Sequence, residues 1–364
     1  MPGDERVPFP YMRWAKRHLT SYEPSNLGMS GVPSVSAADL PYPDDVPYWA
    51  PEGERGDPEL CRAIATRYGV DPEGVMLSAG TSLANFLVYL VEARGGHVAV
   101  ETPAYESLLR TPEAVGATVA AFRRDEARGW RIDPASLEVA ARAGTRLLVV
   151  TDLHNPTGAR LHRDDLALLL DHAKRRDAAV LVDEIYLDLA TAPARTAALA
   201  DPRVIVTNSL TKAHGLGGLR VGWILAHPDR IARIAAWNDL VCPAHPVPSI
   251  VLAKRYLPQA DRFLARTRSQ AAARLAQTDA WVRSRRDVSW VAPAGGISGF
   301  LRLPPGLSGD VLAEHAMKAR GVRVIPGSFF QSPGHVRVSY GLAEGDLARA
   351  LESLGHALDD LARR

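Results

Sequence analysis

The sequence predicts an α/β fold: a large domain with a mostly parallel sheet and helices on both faces, followed by a smaller α+β domain. Two observations carry this prediction. Short apolar runs alternate with helical patterns from residue 75 to residue 224, which is typical of parallel strands joined by helices. A long helical stretch then leads into two further strand patterns and a terminal helix. We therefore expect an N-terminal arm over 1–45 that joins the small domain, a large domain over 46–245 and a small domain over 246–364.

The individual elements follow in chain order. A short helix is expected at Tyr11–His18, and the segment after it is expected to be an extended arm. Asp57 and Pro58 begin the next helix, because aspartate caps helix N-termini and proline suits the first helical position. The expected strands of the large domain are the apolar runs 75–77, 97–100, 118–122, 146–150, 179–182, 204–206 and 220–224. Those of the small domain are 299–303 and 335–339.

Composition is that of a globular protein, with 46% hydrophobic and 23% charged residues and a net charge of +2. Because the charges are mixed in sign, no nucleic acid or acidic membrane surface is expected as a partner. The N-terminus lacks the apolar core of a signal peptide, and no apolar run is long enough to span a bilayer. Cys61 and Cys242 form no motif, which suits a reducing compartment. We expect a cytoplasmic protein with no disulfide and no metal site.

Polar residues directly follow four of the predicted strands. These clusters are Gly80-Thr81-Ser82, the Asn155-Pro-Thr-Gly158 turn, Asp183 with Tyr186, and Ser209 with Lys212. Ligands of an open parallel sheet bind outside the carboxyl ends of the strands. We therefore expect the four clusters to lie along one rim and to form a ligand site together.

Lys212 is the most informative residue of the chain, which has five lysines against 38 arginines. It lies between an apolar run and a glycine-rich loop that brings Arg220 back towards it. An amine beside hydroxyl groups and a guanidinium suits an aldehyde that carries a phosphate, and lysine forms Schiff bases with pyridoxal phosphate. The other four lysines lie beside or near an arginine and are expected to be ordinary solvated cations: Lys16, Lys174, Lys254 and Lys318.

Two of the clusters can hold opposite ends of such a cofactor. Gly80, Thr81 and Ser82 open a helix, whose free N–H groups and dipole favour a phosphate. The same residues are also ordinary helix caps. Asp183 can pair with a protonated pyridine nitrogen, which makes the ring a better electron sink. The alternative for Asp183 is a turn residue at the end of a strand.

Three further residues can contact the cofactor ring. Asn155 and Tyr186 can both form hydrogen bonds with its hydroxyl group, although Asn-Pro also initiates turns. Tyr105 can stack on the face of the ring, although an isolated tyrosine more often serves packing.

Taken together, these motifs resemble the fold-type I pyridoxal-phosphate enzymes of the class I/II aminotransferase family. The matching pieces are the Asn155 turn, Asp183 with Tyr186 three residues on, and Ser209-x-x-Lys212 with Arg220 eight residues beyond. The resemblance implies that Lys212 carries pyridoxal 5'-phosphate as a Schiff base. Lys212, Asp183 and Tyr186 would be catalytic, and Ser209 and Arg220 would bind the phosphate.

The resemblance also implies a substrate site and a second subunit. Arg337, in a Val-Arg-Val-Ser strand, matches the arginine that binds the substrate carboxylate, and Asn155 also lies on the substrate side. Gly31 matches a segment that lies over the substrate. Tyr48 matches a tyrosine that reaches the phosphate of the neighbouring subunit, which implies a homodimer with a shared active site.

Two residues depart from the family pattern or leave their role open. Asp152-Leu153-His154 stands where the family usually has Asn-Pro-x before the Asn-Pro-Thr-Gly turn, and His154 either touches substrate or packs beside the turn. Arg302 lies on a strand of the small domain and either binds a second carboxylate or faces solvent. A dicarboxylate substrate is therefore unsupported.

The favoured function is transfer of an amino group between an α-amino acid and a 2-oxo acid. The alternative within the same chemistry is β-elimination, decarboxylation or biosynthetic cyclisation of an amino acid. A cofactor-sensing regulator would need a DNA-binding domain, and Tyr48 lies too early in the chain to leave room for one. A nicotinamide-dependent dehydrogenase is disfavoured because no Gly-x-Gly-x-x-Gly follows the first strand.

Overall fold

The large sheet has the predicted architecture. The computed structural model describes residues 9–19, 25–47, 49–192 and 195–363. The strands of the large sheet are β1 (Val75–Ser78), β2 (His97–Thr102), β3 (Thr118–Asp125), β4 (Arg131–Ile132), β5 (Thr145–Thr151), β6 (Ala179–Asp183), β7 (Val204–Ser209) and β8 (Gly222–Leu225). Their order across the sheet is β1-β8-β7-β6-β5-β2-β3-β4. Strands β3, β2, β5, β6 and β7 are parallel neighbours, whereas β8 is antiparallel to β7 and β1.

The helices begin and end close to their sequence signals. They are α1 (Pro10–His18), α2 (Pro58–Tyr68), α3 (Thr81–Val88), α4 (Glu106–Ala114), α5 (Pro134–Ala140), α6 (Arg163–Arg176), α7 (Pro228–Asn238), α8 (Val247–Tyr256), α9 (Ala260–Ser284), α10 (Gly309–Arg320) and α11 (Glu344–Ala362). The predicted start of α2 is confirmed, because the Asp57 side chain accepts a hydrogen bond of 2.8 Å from the Leu60 N–H.

The two faces of the large sheet are both buried, which explains why its strands read as continuous apolar runs. In β5, Leu148 and Val150 belong to one hydrophobic core, whereas Leu147 and Val149 belong to another. Helices α2, α5, α6 and α8 cover the first face, and α3, α4 and α7 cover the second. Because helices pack on both faces, the strands are held in place, and so are the polar residues that follow them.

A second, smaller sheet forms beyond α9. It is antiparallel and has the order β10-β11-β9, with β9 at Ser298–Arg302, β10 at Ile325–Pro326 and β11 at His335–Ser339. The sequence did not predict β4 and β10, because two residues are too short to show a periodic pattern. Helices α10 and α11 pack against this sheet in a core of their own.

The N-terminal arm contacts the small sheet, and the predicted division of the chain into domains stays a prediction. Tyr11 packs with Phe300 and Phe330, and Leu27 lies in the core of the small sheet. The predicted division at residue 245 stays a prediction, since α8 and the first part of α9 pack on the large sheet. Within the described residues, no helix combines the length and apolar character needed to cross a membrane.

Candidate active site

A cavity of about 780 Å³ opens where β1, β5, β6 and β7 end. Pockets for small molecules commonly measure roughly 300–1,000 Å³, so this one has room for a cofactor and an amino acid. One side, the sheet wall, consists mainly of polar residues, with Leu153 and Ile185 among them: Thr81, Ser82, Asn85, Thr151, Asn155, Asp183, Tyr186, Thr211, Lys212 and Arg220. The other side, the arm wall, consists of Tyr11, Met12, Ala15, Lys16, Leu19, Met29 and Ser30. Arg337 and the start of α4 also line the cavity.

One end of the sheet wall has the features of an anion site. Thr81 and Ser82 are the first residues of α3, so their N–H groups and the helix dipole face this end. Gly80 has a positive φ of 88°, and a Cβ there would collide with the Arg220 guanidinium. Arg220 donates a hydrogen bond of 3.0 Å to the Ala79 carbonyl. The buried Thr81 hydroxyl has no hydrogen-bond partner within the described residues, which suits a phosphate oxygen.

The two hydroxyl residues shortly before Lys212, Ser209 and Thr211, have different surroundings, and the prediction named only Ser209. Thr211 lines the cavity, whereas Ser209 is fully buried in β7 and is not among the lining residues. The Ser209 hydroxyl accepts a hydrogen bond of 3.2 Å from the Thr211 N–H. Thr211 was missed because the sequence does not show which of two nearby hydroxyls leaves the strand. The predicted phosphate contact of Ser209 stays a prediction.

Asp183 ends β6 at the floor of the cavity and is held there by two donors. Its side chain accepts hydrogen bonds of 2.9 Å from Asn85 Nδ2 and 3.1 Å from the Ile185 N–H. Burial raises the pKa of Asp183 to about 6, and the two hydrogen bonds oppose that shift. A pyridinium nitrogen would supply the missing positive charge and favour the carboxylate. The residues present therefore fit the nitrogen end of pyridoxal phosphate.

Asn85 is a functional residue that the sequence interpretation missed. It lines the cavity, and its Oδ1 accepts a hydrogen bond of 2.7 Å from the Thr207 hydroxyl. That bond fixes the amide so that Nδ2 faces Asp183. A lone asparagine in the apolar run Leu-Ala-Asn-Phe-Leu was the available signal, because a buried amide needs hydrogen-bond partners.

Lys212 reaches the cavity between the two walls. Its ammonium donates a hydrogen bond of 2.7 Å to the Ser30 hydroxyl of the arm. Burial, together with the nearby charges of Arg337 and Arg220, lowers the pKa of Lys212 to about 8. A larger fraction of the amine is therefore neutral and nucleophilic near pH 8 than for an exposed lysine. Gly31 lies beside it, where a Cβ would be 3.9 Å from Lys212 Cδ.

Tyr186 and Asn155 both line the cavity and contact other parts of the site, and their contact with the cofactor ring stays a prediction. The Tyr186 hydroxyl donates a hydrogen bond of 2.6 Å to the Ser30 carbonyl, and burial raises the pKa of Tyr186 above its usual range. Asn155 Oδ1 accepts a hydrogen bond of 3.2 Å from Arg337 Nη1. Tyr105 also lines the cavity and meets Tyr11 edge to face, with ring centroids 5.5 Å apart. Its stacking on a cofactor ring stays a prediction.

Arg337 is a buried cation without a carboxylate partner among the described residues. Only 1% of it is exposed. Its Nη2 donates hydrogen bonds of 3.0 Å to the Gly28 carbonyl and 3.4 Å to the Tyr11 hydroxyl. Its Nε has no partner in the described part of the chain. Since burying an unpaired charge is costly, this guanidinium is suited to an incoming carboxylate.

His154 and Arg302 take the structural roles that the sequence left open. His154 packs beside the turn, with Nδ1 2.7 Å from the Thr157 hydroxyl and Nε2 2.7 Å from the Pro103 carbonyl. Burial lowers the pKa of His154 well below its usual range. Arg302 is exposed and pairs with Glu126, whose carboxylate also contacts His335 at 3.0 Å. Neither residue lines the cavity.

Two further predictions have different outcomes. Lys16 is exposed, as expected for a solvated cation, but it also lines the cavity, which the sequence did not indicate. Tyr48 lies outside the described residues.

Across the described ranges, no group of three or more histidine, cysteine, aspartate or glutamate side chains could hold a metal ion.

Comparisons with known proteins agree with this geometry. A family model described as aminotransferase class I and II matches residues 53–354. The chain is 29% identical to capreomycidine synthase of Streptomyces vinaceus over 327 residues, covering 85% of this chain and 80% of that protein. It is 26% identical to an arginine–pyruvate transaminase of Pseudomonas aeruginosa over 354 residues, covering 90% and 84%. A crystal structure of a pyridoxal-phosphate-dependent aminotransferase from Streptococcus suis has a TM-score of 0.87 over 96% of both chains, at 24% identity.

The matched span contains the strand ends that form the sheet wall, including Asp183 and Lys212, and it also contains Arg337. The chain therefore belongs to the aminotransferase class I and II family, and its cofactor is pyridoxal 5'-phosphate.

Proposed function

We propose that this protein transfers an amino group between an α-amino acid and a 2-oxo acid. The observation that carries the proposal is the meeting of three groups in one cavity. These are an amine whose pKa is lowered to about 8, a buried carboxylate and a buried guanidinium without a carboxylate partner among the described residues: Lys212, Asp183 and Arg337. Together they offer a base, a partner for the cofactor nitrogen and a partner for the substrate carboxylate.

Lys212 is proposed to serve twice. Its amine would hold the cofactor in the resting enzyme, and once free of the cofactor it would be placed to accept a proton from the substrate. When bound, pyridoxal phosphate withdraws electrons from the substrate Cα and so makes the α-proton acidic. Lys212 Nζ would be the base that accepts and carries this proton, because a neutral amine is a competent base near pH 8.

Asp183 and Arg337 are proposed to hold the two reaction partners in place. Asp183 keeps the pyridine nitrogen protonated through a charge-assisted hydrogen bond, while Asn85 and the Ile185 N–H fix the position of its carboxylate. Arg337 offers parallel N–H donors to the α-carboxylate of the substrate, next to Asn155. Tyr186 also lines the cavity, and its hydroxyl would release the Ser30 carbonyl in order to donate to the cofactor ring.

We further propose that the active unit is a homodimer in which Tyr48 contacts the phosphate of the other subunit. The side chains of Trp49 and Leu240 are 76% and 77% exposed, which is unusual for large apolar residues. Trp49 and Leu240 lie on chain segments that contact each other. Shortly after Trp49, the Glu52 carboxylate lies 3.0 Å from the ring of His245, which follows Leu240. Sedimentation should find a dimer, and a fully active monomer would rule the proposal out. The predicted cytoplasmic location stays a prediction.

A second candidate function is another pyridoxal-phosphate reaction on an amino acid, and the similarity to capreomycidine synthase favours keeping it. The two are separated by their products. Purified protein loaded with cofactor would be mixed with a panel of amino acids, and the products identified by mass spectrometry. A 2-oxo acid together with pyridoxamine phosphate supports transamination. Ammonia, carbon dioxide or a cyclised amino acid, without pyridoxamine phosphate, supports the alternative.

A further inference from the structure

Helix α1 presents one face to the cavity. Residues three and four apart share a helix face. Tyr11 of α1 lines the cavity with its hydroxyl 3.4 Å from Arg337 Nη2. The other lining residues of α1 and the residue just beyond it follow the helical spacing: Met12, Ala15, Lys16 and Leu19. All but Lys16 are apolar. Met29 of the arm and Leu108 of α4 also line the cavity. The thioethers of the two methionines can adapt to side chains of varied shape. The part of the cavity next to α1 is therefore largely hydrophobic, and we call it the α1 subsite.

The α1 subsite offers little hydrogen bonding to a ligand. Ser107 is a polar side chain at the start of α4 that lines the cavity. Its hydroxyl already lies 3.3 Å from the Thr111 hydroxyl, one turn further along the helix. Tyr105, nearby, directs its hydroxyl to the sulfur of Met12 at 3.3 Å. A ligand side chain placed here meets mainly carbon and sulfur atoms.

The charges that line the cavity are strongly unequal. The cations are Lys16, Lys212, Arg220 and Arg337, whereas Asp183 is the one acid among the described lining residues. Asp183 is already bonded to Asn85 and the Ile185 N–H at the end of the sheet. Lys16 forms no ion pair within the described part of the chain, so its ammonium stays available at the rim. The proposed function already assigns Lys212 to the cofactor, Arg220 to its phosphate and Arg337 to the substrate carboxylate. A cationic ligand side chain would therefore meet repulsion from Lys16 and no free acid among the described lining residues.

We propose that the α1 subsite takes the side chain of the substrate, that this side chain is apolar, and that Lys16 selects against cationic side chains. The inference rests on the proposed function, because it places the substrate carboxylate at Arg337 and the substrate amine at Lys212. It separates this enzyme from a transaminase for arginine, because burial of a guanidinium in an apolar, positively lined subsite is unfavourable.

The first test compares substrates that differ in one group. L-Norleucine and L-lysine have the same carbon chain, but lysine ends in an ammonium. With the cofactor-loaded enzyme, we expect kcat/KM for norleucine to exceed that for lysine and for L-arginine by at least about tenfold, since one unpaired charge in an apolar site costs more than that factor. Equal or better use of lysine or arginine would overturn the proposal.

A binding measurement tests the α1 subsite without depending on which reaction the enzyme catalyses. Hexanoate and 6-aminohexanoate carry the same two side-chain ends but lack the α-amino group, so neither can undergo the proposed reaction at Cα. The cofactor absorbance would show whether the terminal amine of 6-aminohexanoate has formed an imine instead of binding in the subsite. Calorimetric titration of the loaded enzyme should give a Kd for hexanoate at least about tenfold lower than the Kd for 6-aminohexanoate. If hexanoate does not bind more tightly than 6-aminohexanoate, the proposed subsite is wrong, even where transamination is observed. Conversely, tight hexanoate binding without any 2-oxo acid product would contradict the proposed function alone.

A matched pair of variants tests the role of Lys16. Lys16→Glu reverses the charge at the rim, and Arg17→Glu makes the same change on the next residue of α1, which is exposed and does not line the cavity. Both variants place an acid at the C-terminal turn of α1 and so carry the same dipole penalty. We expect Lys16→Glu to reduce the norleucine-to-lysine ratio at least fivefold, and Arg17→Glu to leave it within about twofold. Equal ratios in the two variants would remove Lys16 from substrate selection.

Discussion

The sheet wall and the arm wall of the cavity differ in chemistry and in how they are held. The sheet wall consists of polar groups fixed by buried hydrogen bonds, as in the chain from Thr207 through Asn85 to Asp183. The arm wall is mostly apolar and lies on a short helix and an irregular segment. The difference suggests a division of work: rigid strand ends position the reacting groups, whereas the arm shapes the space for the substrate.

The two walls are nevertheless tied together at a few points. Ser30 of the arm accepts hydrogen bonds from Lys212 and Tyr186. The arm also contacts groups outside the sheet wall: the Gly28 carbonyl accepts a hydrogen bond from Arg337, and the Tyr11 N–H donates one of 2.8 Å to Glu106 of α4. A change in the arm can therefore reach the reacting groups.

Loss of the Lys212 amine should have the largest effect. We expect Lys212→Ala to lower kcat at least about a thousandfold, because the variant lacks both the covalent link and the base. Steady-state assays with a reactive amino acid would measure the loss. The control is Lys174→Ala, which removes an exposed lysine that pairs with Asp201 at 3.6 Å on the outer surface. A Lys212→Ala enzyme with more than a tenth of the wild-type activity would contradict the assignment.

Removal of the Asp183 charge should come next. We expect Asp183→Asn, which keeps the shape of the side chain, to lower the rate of α-proton removal by on the order of a hundredfold, while cofactor binding persists through the phosphate contacts. Exchange of the α-deuteron of a labelled amino acid would report that step. If Asp183→Asn exchanges the label at the wild-type rate, the carboxylate is only a structural residue at the strand end.

The contrast between the walls also shows what the sequence could predict. Asp183 and Lys212 were predictable because each follows an apolar run, and parallel strands bring their carboxyl ends to one edge. Asn85 lies within a helix, and its orientation depends on the register of α3 against β6 and β7. Periodicity alone does not give that register.

The arm was harder to predict for a different reason. Its position depends on contacts between residues far apart in the chain, such as Tyr11 with Glu106, and its irregular part has no period. The role of Lys16 follows from that docking and not from its neighbours in sequence. The resemblance to a family placed Gly31 over the substrate, but it gave no residue of α1.

Replacement of Arg337 should separate substrate binding from cofactor binding. Arg337→Lys keeps the charge but loses the two parallel donors, so a buried charged hydrogen-bond pair worth roughly 2–5 kcal/mol is weakened. We expect kcat/KM to fall at least about tenfold, with unchanged cofactor absorbance. A variant that uses every amino acid like the wild type would remove Arg337 from the substrate site.

The pH dependence of stability should show the smallest effect. Burial lowers the pKa of Lys212 to about 8 from 10.5, so between these values the unfolded chain binds more protons than the folded one. The free energy of unfolding of the cofactor-free protein should therefore rise with pH across this window, by roughly 1–3 kcal/mol from this residue. Denaturant titrations at pH 7 and pH 10 would test this against Lys212→Met, whose stability should lack that rise. A parallel pH response in both proteins would mean that Lys212 titrates normally.

The most direct test of the division between the walls uses the two lysines of the cavity, one on each side. The purified protein would be loaded with pyridoxal phosphate and reduced with borohydride, and the modified peptide would be identified by mass spectrometry. We predict a single adduct on Lys212 and an unmodified Lys16, because the lowered pKa and the phosphate contacts favour the sheet wall. An adduct on Lys16 with Lys212 unmodified would contradict the account.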